Sequence, residues 1–222
     1  MNRFLKWLTW IMFFVPAVYT AISWNSLPAN IPTHFNLEGK ADSYTSKNGF
    51  VWMIAVITAV NIAVYLLLCN VYKIDPKRYA AENRERMNKI AVTTSIFLSM
   101  VFITIIYAVQ QADTAFMPRL VFVFMGPFFS LLGNYMYNIK PNYFAGIRVP
   151  WTLEDPENWR KTHQLAGRLW FAGGIIMFIT ALLCNSAEAA GISMFIIMLP
   201  LIIIPVYYSY KMYSNKKNIT HS

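Results

Sequence analysis

At 222 residues, 57% hydrophobic and only 13% charged, the chain is too apolar for an ordinary water-soluble domain. Its net charge of +9 is bunched between apolar runs, a distribution that signals membrane topology and contact with anionic lipid rather than a nucleic-acid footprint. Runs able to cross roughly 30 Å of hydrocarbon, about 20 residues each, recur along the sequence.

Six spans are predicted, at 7–24, 50–71, 90–110, 118–137, 168–185 and 192–210. The first is too long for the apolar region of a signal peptide and lacks a small-residue cleavage pattern, so it is expected to be retained. Of the 19 Lys and Arg, 16 lie before span one, in 72–89, in 138–168 or after span six. Only Lys40, Lys47 and Arg119 occupy the alternate segments. Short cation-rich loops stay in the cytoplasm, so both termini are expected inside. Cys69 and Cys184 then lie near opposite membrane faces, too far apart for a disulfide, and read as small apolar fillers. The expected fold is all-α: six transmembrane helices, a short extended cap loop outside and an interfacial amphipathic segment inside. The chain divides into a two-span unit, 1–71, a basic connector, 72–89, and a four-span unit, 90–222, carrying the inner segment 138–168.

In the outer loop 25–49, Pro28 and Pro32 push Leu27 and Ile31 out of helical geometry. Asn36 and Gly39 supply turn chemistry. Ile31, Phe35, Leu37 and Tyr44 want burial, which predicts a compact cap. His34, Glu38 and Asp42 have no spacing diagnostic of a metal and read as a solvated polar rim. The connector is helix-prone after Pro76, with Glu82, Glu85 and Arg86 able to pair along a solvated helical surface. Thr93, Thr94, Ser95, Ser99 and Thr104 in span three can bond their own helix or a neighbour. Pro127, Pro200 and Pro205 predict bends, and Gly167 with Gly173 and Gly174 permits close helix approach in span five.

None of the ten acidic residues falls inside a span so drawn, which counts against an ion-coupled carrier. The sequence has no HExxH, phosphate-cradling glycine loop or GxSxG pattern, and His34, His163 and His221 are widely spaced. No enzyme, metal site or cofactor is therefore expected.

The longest polar interruption runs from Asn134 to Trp170. Asn142, with Asn134 and Asn138, approaches the inner interface, and Gly146 is expected to turn the chain so that Arg148 faces the membrane surface. Trp151 and Trp159 suit the headgroup layer. Thr152 or Asp155 can cap a helix starting near Pro156. From there Trp159, His163, Ala166 and Trp170 share one stripe, with His163 a buried polar residue holding one hydrogen-bond partner.

The run GIRVPWTL from Gly146 to Leu153, followed by Trp159, Lys161, Thr162 and His163, resembles the signature of the SdpI family of bacterial immunity membrane proteins. The stretch LPANIPTHFNLEGKAD from Leu27 to Asp42 is similar to the small amino-terminal domain often found in that family. Val149 stands where a Thr is common. The resemblance implies a multi-span protein of the bacterial cytoplasmic membrane that protects a producer cell against a secreted antimicrobial peptide or toxin. For some members it also implies a cytosolic transcriptional repressor held at the membrane. On that reading Pro28, Ile31, Pro32, His34, Phe35, Gly39 and Asp42 face the toxin. Asn142, Gly146, Arg148, Pro150, Trp151, Thr152, Trp159 and His163 would then form the inner partner site. The competing readings are an exporter of a small amphiphile and an envelope-homeostasis protein.

Overall fold

The computed structural model describes residues 3–35, 41–77, 81–111, 117–184 and 186–220. In chain order the elements are α1 (Arg3–Ile22), β1 (Asn30–Phe35), β2 (Ala41–Ser46), α2 (Lys47–Asn70), α3 (Arg84–Gln110), α4 (Met117–Met136), α5 (Pro150–Glu154), α6 (Pro156–Leu183) and α7 (Ala187–Thr220). Two 3-10 turns, Val71–Lys73 and Ala81–Asn83, lie in the connector. Among the described residues six helices are long and apolar enough to cross a membrane, the number read from the sequence. Several overrun the predicted spans, because good helix formers carry a helix past the edge of the hydrocarbon. Glu85, Glu157 and Glu188 consequently sit in the first turns of α3, α6 and α7, where carboxylates suit the helix dipole.

The ends of α1 and α3 meet on one face, Tyr19 bonding Gln110, where Arg119 of α4 also bonds the Ala181 carbonyl of α6; on the other face Asn83, just before α3, meets Lys140, beyond α4. The first is called here the hairpin face and the second the signature face. α3 packs against α1, α2 and α4, while α6 packs against α4 and α7, so α3 joins the amino-terminal helix pair to the rest. On α1 the buried residues Thr9, Phe13, Pro16 and Thr20 form a stripe at helical spacing. Phe13 meets Tyr65 of α2 edge to face at 5.5 Å. The Thr9 and Thr20 hydroxyls donate to the carbonyls of Leu5 and Pro16, which satisfies them inside an apolar layer.

A glycine seam brings α4 and α6 into backbone contact. A Cβ on Gly133 would lie 2.5 Å from Phe171 N and 2.8 Å from Gly167 O. One on Gly126 would lie 2.6 Å from Phe178 N and 2.7 Å from Gly174 O. Gly126 and Gly133, seven residues apart, thus meet Gly174 and Gly167, also seven apart, and backbone touches backbone. The α6 glycines stand out in the sequence; their partners on α4 carry no separate signal there.

The outer loop corrects the all-α expectation, because it folds as a two-stranded antiparallel hairpin. Ile31 pairs with Thr45 and Pro32 with Tyr44, and the register shifts between Pro32 and His34 and again between His34 and Phe35. A proline is tolerated in a two-stranded ribbon, where one edge of each strand needs no backbone partner. Ile31 plugs the hairpin into a cluster with Leu27, Phe50, Ile54, Ile106 and Val109, and the Ser46 hydroxyl caps α2. Tyr44, expected to be buried, is 59% exposed, because it falls on the strand face turned away from that cluster. Asn36, Leu37, Glu38, Gly39 and the side chain of Phe35 lie outside the described residues.

Candidate functional site

Between α4 and α5 residues 137–149 have no regular structure, so their backbone groups must find partners elsewhere. Asn142, fully buried, supplies four of them. Its Oδ1 accepts from the Phe144 and Ala145 N–H groups at 2.9 and 2.7 Å. Its Nδ2 donates to the Lys140 and Ala145 carbonyls, both at 3.0 Å. A buried amide with both ends engaged fixes a loop more firmly than a flexible polar contact does.

The connector holds the same loop from outside. Asn83 brackets the backbone of Lys140 in both directions, accepting its N–H at 2.9 Å and donating to its carbonyl at 3.0 Å. Asp75 accepts from Lys77 N at 2.9 Å and Tyr143 N at 3.3 Å. Lys77 Nζ donates to Leu153 O at 2.8 Å and lies over the Tyr143 ring. Much of the connector is exposed, as expected, but Asp75 and Asn83 are buried against the loop. Neither was legible as a site residue. An Asn just before a helix reads as a cap, yet Asn83 makes no side-chain cap bond to α3 and is spent on Lys140 instead.

Gly146 has φ of 110°, and a Cβ there would run into His163 Nε2. This is backbone only glycine adopts readily, placed where only glycine fits. The approach lets Ile147 N–H donate to His163 Nε2 at 2.9 Å. That nitrogen therefore carries no proton, and Nδ1–H donates to Trp159 O at 2.8 Å. His163 thus has two partners rather than the expected one. Its ring stacks on Trp159, centroids 4.0 Å apart, and Trp159 Nε1 donates to Ile139 O at 2.8 Å. Trp159 is 1% exposed, which corrects its expected place in the headgroup layer: its indole fills the space beneath the loop.

α5 and the start of α6 are tied down next. The buried Thr152 hydroxyl accepts from Val149 N at 3.2 Å and shares its proton between the carbonyls of Ile147 and Val149. Pro150 opens α5, where a missing N–H is harmless. Asp155, not Thr152, caps α6, accepting from Glu157 N at 2.9 Å and Asn158 N at 3.3 Å. Its other oxygen meets Lys216 Nζ of α7 at 2.9 Å. Burial opposes ionisation of this carboxyl, but Lys216 and the two backbone donors outweigh it and hold the group below the usual carboxylate range. α7 is pinned again at Ser209, whose hydroxyl accepts from Trp151 Nε1 at 2.9 Å and whose carbonyl accepts from Asn158 Nδ2 at 2.9 Å. Trp151 also stacks on Tyr213 and meets Tyr210 edge to face.

The eight inner candidates therefore separate into two kinds. Asn142, Thr152, Trp159 and His163 are buried and can act only by holding shape. Arg148 and Pro150 are exposed, and Trp151 and Gly146 are half-buried. Arg148 donates to Tyr143 O at 2.6 Å while its side chain stays accessible. On the hairpin face Pro28 and Pro32 are half-buried and His34 is exposed, bonded to Asp42 at 2.6 Å. Ile31 corrects the expectation for that face, since at 0% exposure it packs into the helix bundle and presents no surface to a toxin. Among the described residues no three metal-ligating side chains come together.

Residues 138–209 match the model of the SdpI/YfhL protein family, and residues 11–59 match that of a domain of unknown function, DUF1648. Over 192 residues the chain is 23% identical to the Immunity protein SdpI of Bacillus subtilis (strain 168), covering 86% of this chain and 87% of that protein. No solved structure matches. The resemblance read from the sequence stands, and each matched stretch contains one of the two motifs that carried it.

Proposed function

We propose that the chain is an immunity membrane protein of the bacterial cytoplasmic membrane, protecting the cell that carries it from a secreted peptide or protein toxin. The observation that carries this reading is the likeness to the Immunity protein SdpI across nearly the whole chain, both faces included. The geometry agrees with it. The signature segment is a preset surface whose shape is held by buried amide, hydroxyl and imidazole groups, as a binding surface requires. In this reading the hairpin face lies outside, where Pro28, Pro32, His34 and Asp42 meet the toxin. The signature face lies in the cytoplasm, where Arg148, Pro150 and Trp151 are presented to a partner, a transcriptional repressor being the proposed one. Toxin binding would reach that partner only by favouring one of two arrangements of the bundle.

The test is survival of a deletion strain in filtrate from its own parent culture, with the wild-type, Arg148→Ala and His34→Ala genes returned separately. The reading expects the deletion strain to die, the wild-type gene to rescue it, and Arg148→Ala to insert at normal levels without rescuing. Survival of the deletion strain in filtrate proven toxic to an unrelated sensitive strain would sink the immunity reading. Full rescue by Arg148→Ala would remove the signature surface from it. Orientation is checked by impermeant-maleimide labelling of Ser43→Cys and Ser214→Cys in intact cells, in a chain lacking Cys69 and Cys184. Ser43→Cys should label and Ser214→Cys should not.

A further inference from the structure

A groove of about 460 Å³ opens on the signature face between the start of α3, residues 137–141 and the first turns of α6. Three cations line it, Arg86, Lys140 and Arg160, together with the amides of Asn138 and Gln164. The one acid in its wall, Glu157, is already engaged by Lys161 at 2.9 Å. Neither the Arg86 nor the Arg160 guanidinium makes a hydrogen bond or ion pair among the described residues. Two such guanidinium groups facing one concavity, with neutral amide donors between them, suit the oxygens of a phosphate.

A second cleft, about 190 Å³, adjoins the first and shares Tyr137 with it. Its floor is the glycine pair Gly133 and Gly167, its wall is Phe171, and it reaches one helical turn and more deeper along α6. Phe171 is 48% exposed on the apolar stretch of α6, a helix long and apolar enough to cross a membrane. Arg168 lines this second cleft, over the Tyr137 ring and bonded to its hydroxyl at 3.2 Å. An occupant of both cavities therefore needs an anionic head and an apolar tail joined within one molecule. A soluble anion would fill only the first.

We propose that this pair of cavities is a binding site for an anionic phospholipid, its phosphate held by Arg86 and Arg160 and an acyl chain lying along Gly133, Gly167 and Phe171. Such a lipid would pack directly against residues 137–141 and α6, and so brace the signature segment from the side that α7 does not cover. On the orientation proposed above, this face meets the cytoplasmic leaflet, whose lipids are rich in negative charge. The lipid assignment itself is independent of orientation, because a detergent-solubilised chain presents both faces.

The experiment is native mass spectrometry of the full purified chain in neutral detergent. It is titrated with phosphatidylglycerol, phosphatidylcholine of the same acyl chains, or glycerol phosphate, and folding is checked by thermal unfolding. Phosphatidylglycerol is expected to bind selectively, and Arg86→Gln with Arg160→Gln to weaken it by about tenfold. Lys73→Gln with Lys211→Gln, which removes the same charge elsewhere on that face, is expected to leave binding unchanged. Arg160→Gln alone, at an exposed position, should show a smaller loss, so the inference survives any failure of the double variant to fold. Equal loss in both double variants would mean a diffuse field and no site. Equal competition by glycerol phosphate would assign the groove to a soluble anion. Either result, or unselective binding of the two lipids, overturns the proposal without touching the immunity reading, which is judged by survival.

Discussion

The two faces of this protein are ordered by opposite means. The hairpin face has regular structure, a paired ribbon of two strands, yet among the described residues most of its polar side chains are exposed and Ile31 is the buried apolar plug that fixes it to the bundle. The signature face lacks regular structure over 137–149, yet Asn83, Asn142, Thr152 and His163 hold its backbone from buried positions. Regular pairing satisfies the chain's own amides and leaves side chains at liberty. An irregular segment must recruit side chains for the same purpose, and each becomes hard to replace. A surface of the first kind can tolerate change at its exposed residues, while one of the second kind holds a single shape.

The contrast can be broken most sharply at Gly146. Gly146→Ala meets both a positive φ and the His163 ring, so a loss of about 3 kcal/mol or failure to accumulate is expected. An unchanged thermal midpoint in detergent would mean that the loop is not over-determined. Ile31→Ala is the matching blow to the other face, about 2–4 kcal/mol from an emptied apolar site. Limited proteolysis should then cut the hairpin while leaving 137–155 protected. If both regions open together, the faces are not separately anchored.

Asn142→Ala orphans two backbone donors and two carbonyls, and about 2 kcal/mol should go with them. Replacing Asn142 by Leu at similar volume should rescue little, because the loss is in hydrogen bonds rather than packing. A smaller effect belongs to Asp155. Its folded pKa lies below the unfolded value of about 3.9, so its stabilisation is present above that value and is lost as pH falls through the folded one. Asp155→Asn keeps a capping oxygen and removes the charge. Between about pH 6 and about pH 3 the wild-type thermal midpoint should therefore fall further than that of Asp155→Asn. Parallel curves would mean that the Lys216 contact carries no weight. The smallest change is expected for His34→Ala, within about 0.5 kcal/mol, since its bond to Asp42 is exposed. A large loss there would show the hairpin to be held by more than its apolar plug.

Membership of the membrane class, the number of helices long and apolar enough to cross and the place of the long polar segment were all legible in the sequence. Run length and the spacing of cations are local properties, and a bilayer reads them locally. That Gly146, Trp159 and His163 could meet was legible too, because they lie within 17 positions of one another. What the tertiary structure alone decided is which distant groups meet. Asn83 reaches Lys140 across 57 positions, Lys216 reaches Asp155 across 61, and Tyr143 reaches Asp75 across 68. Gly133 finds Gly167 only because α4 and α6 cross there. The same choice sent Trp159 inside the protein and left Tyr44 in the open. An Asn, an Asp or a Trp carries donors, acceptors and area, but no label for its partner. The packing of helices assigns the partner, and a buried hydrogen bond is formed by whichever groups that packing brings within reach.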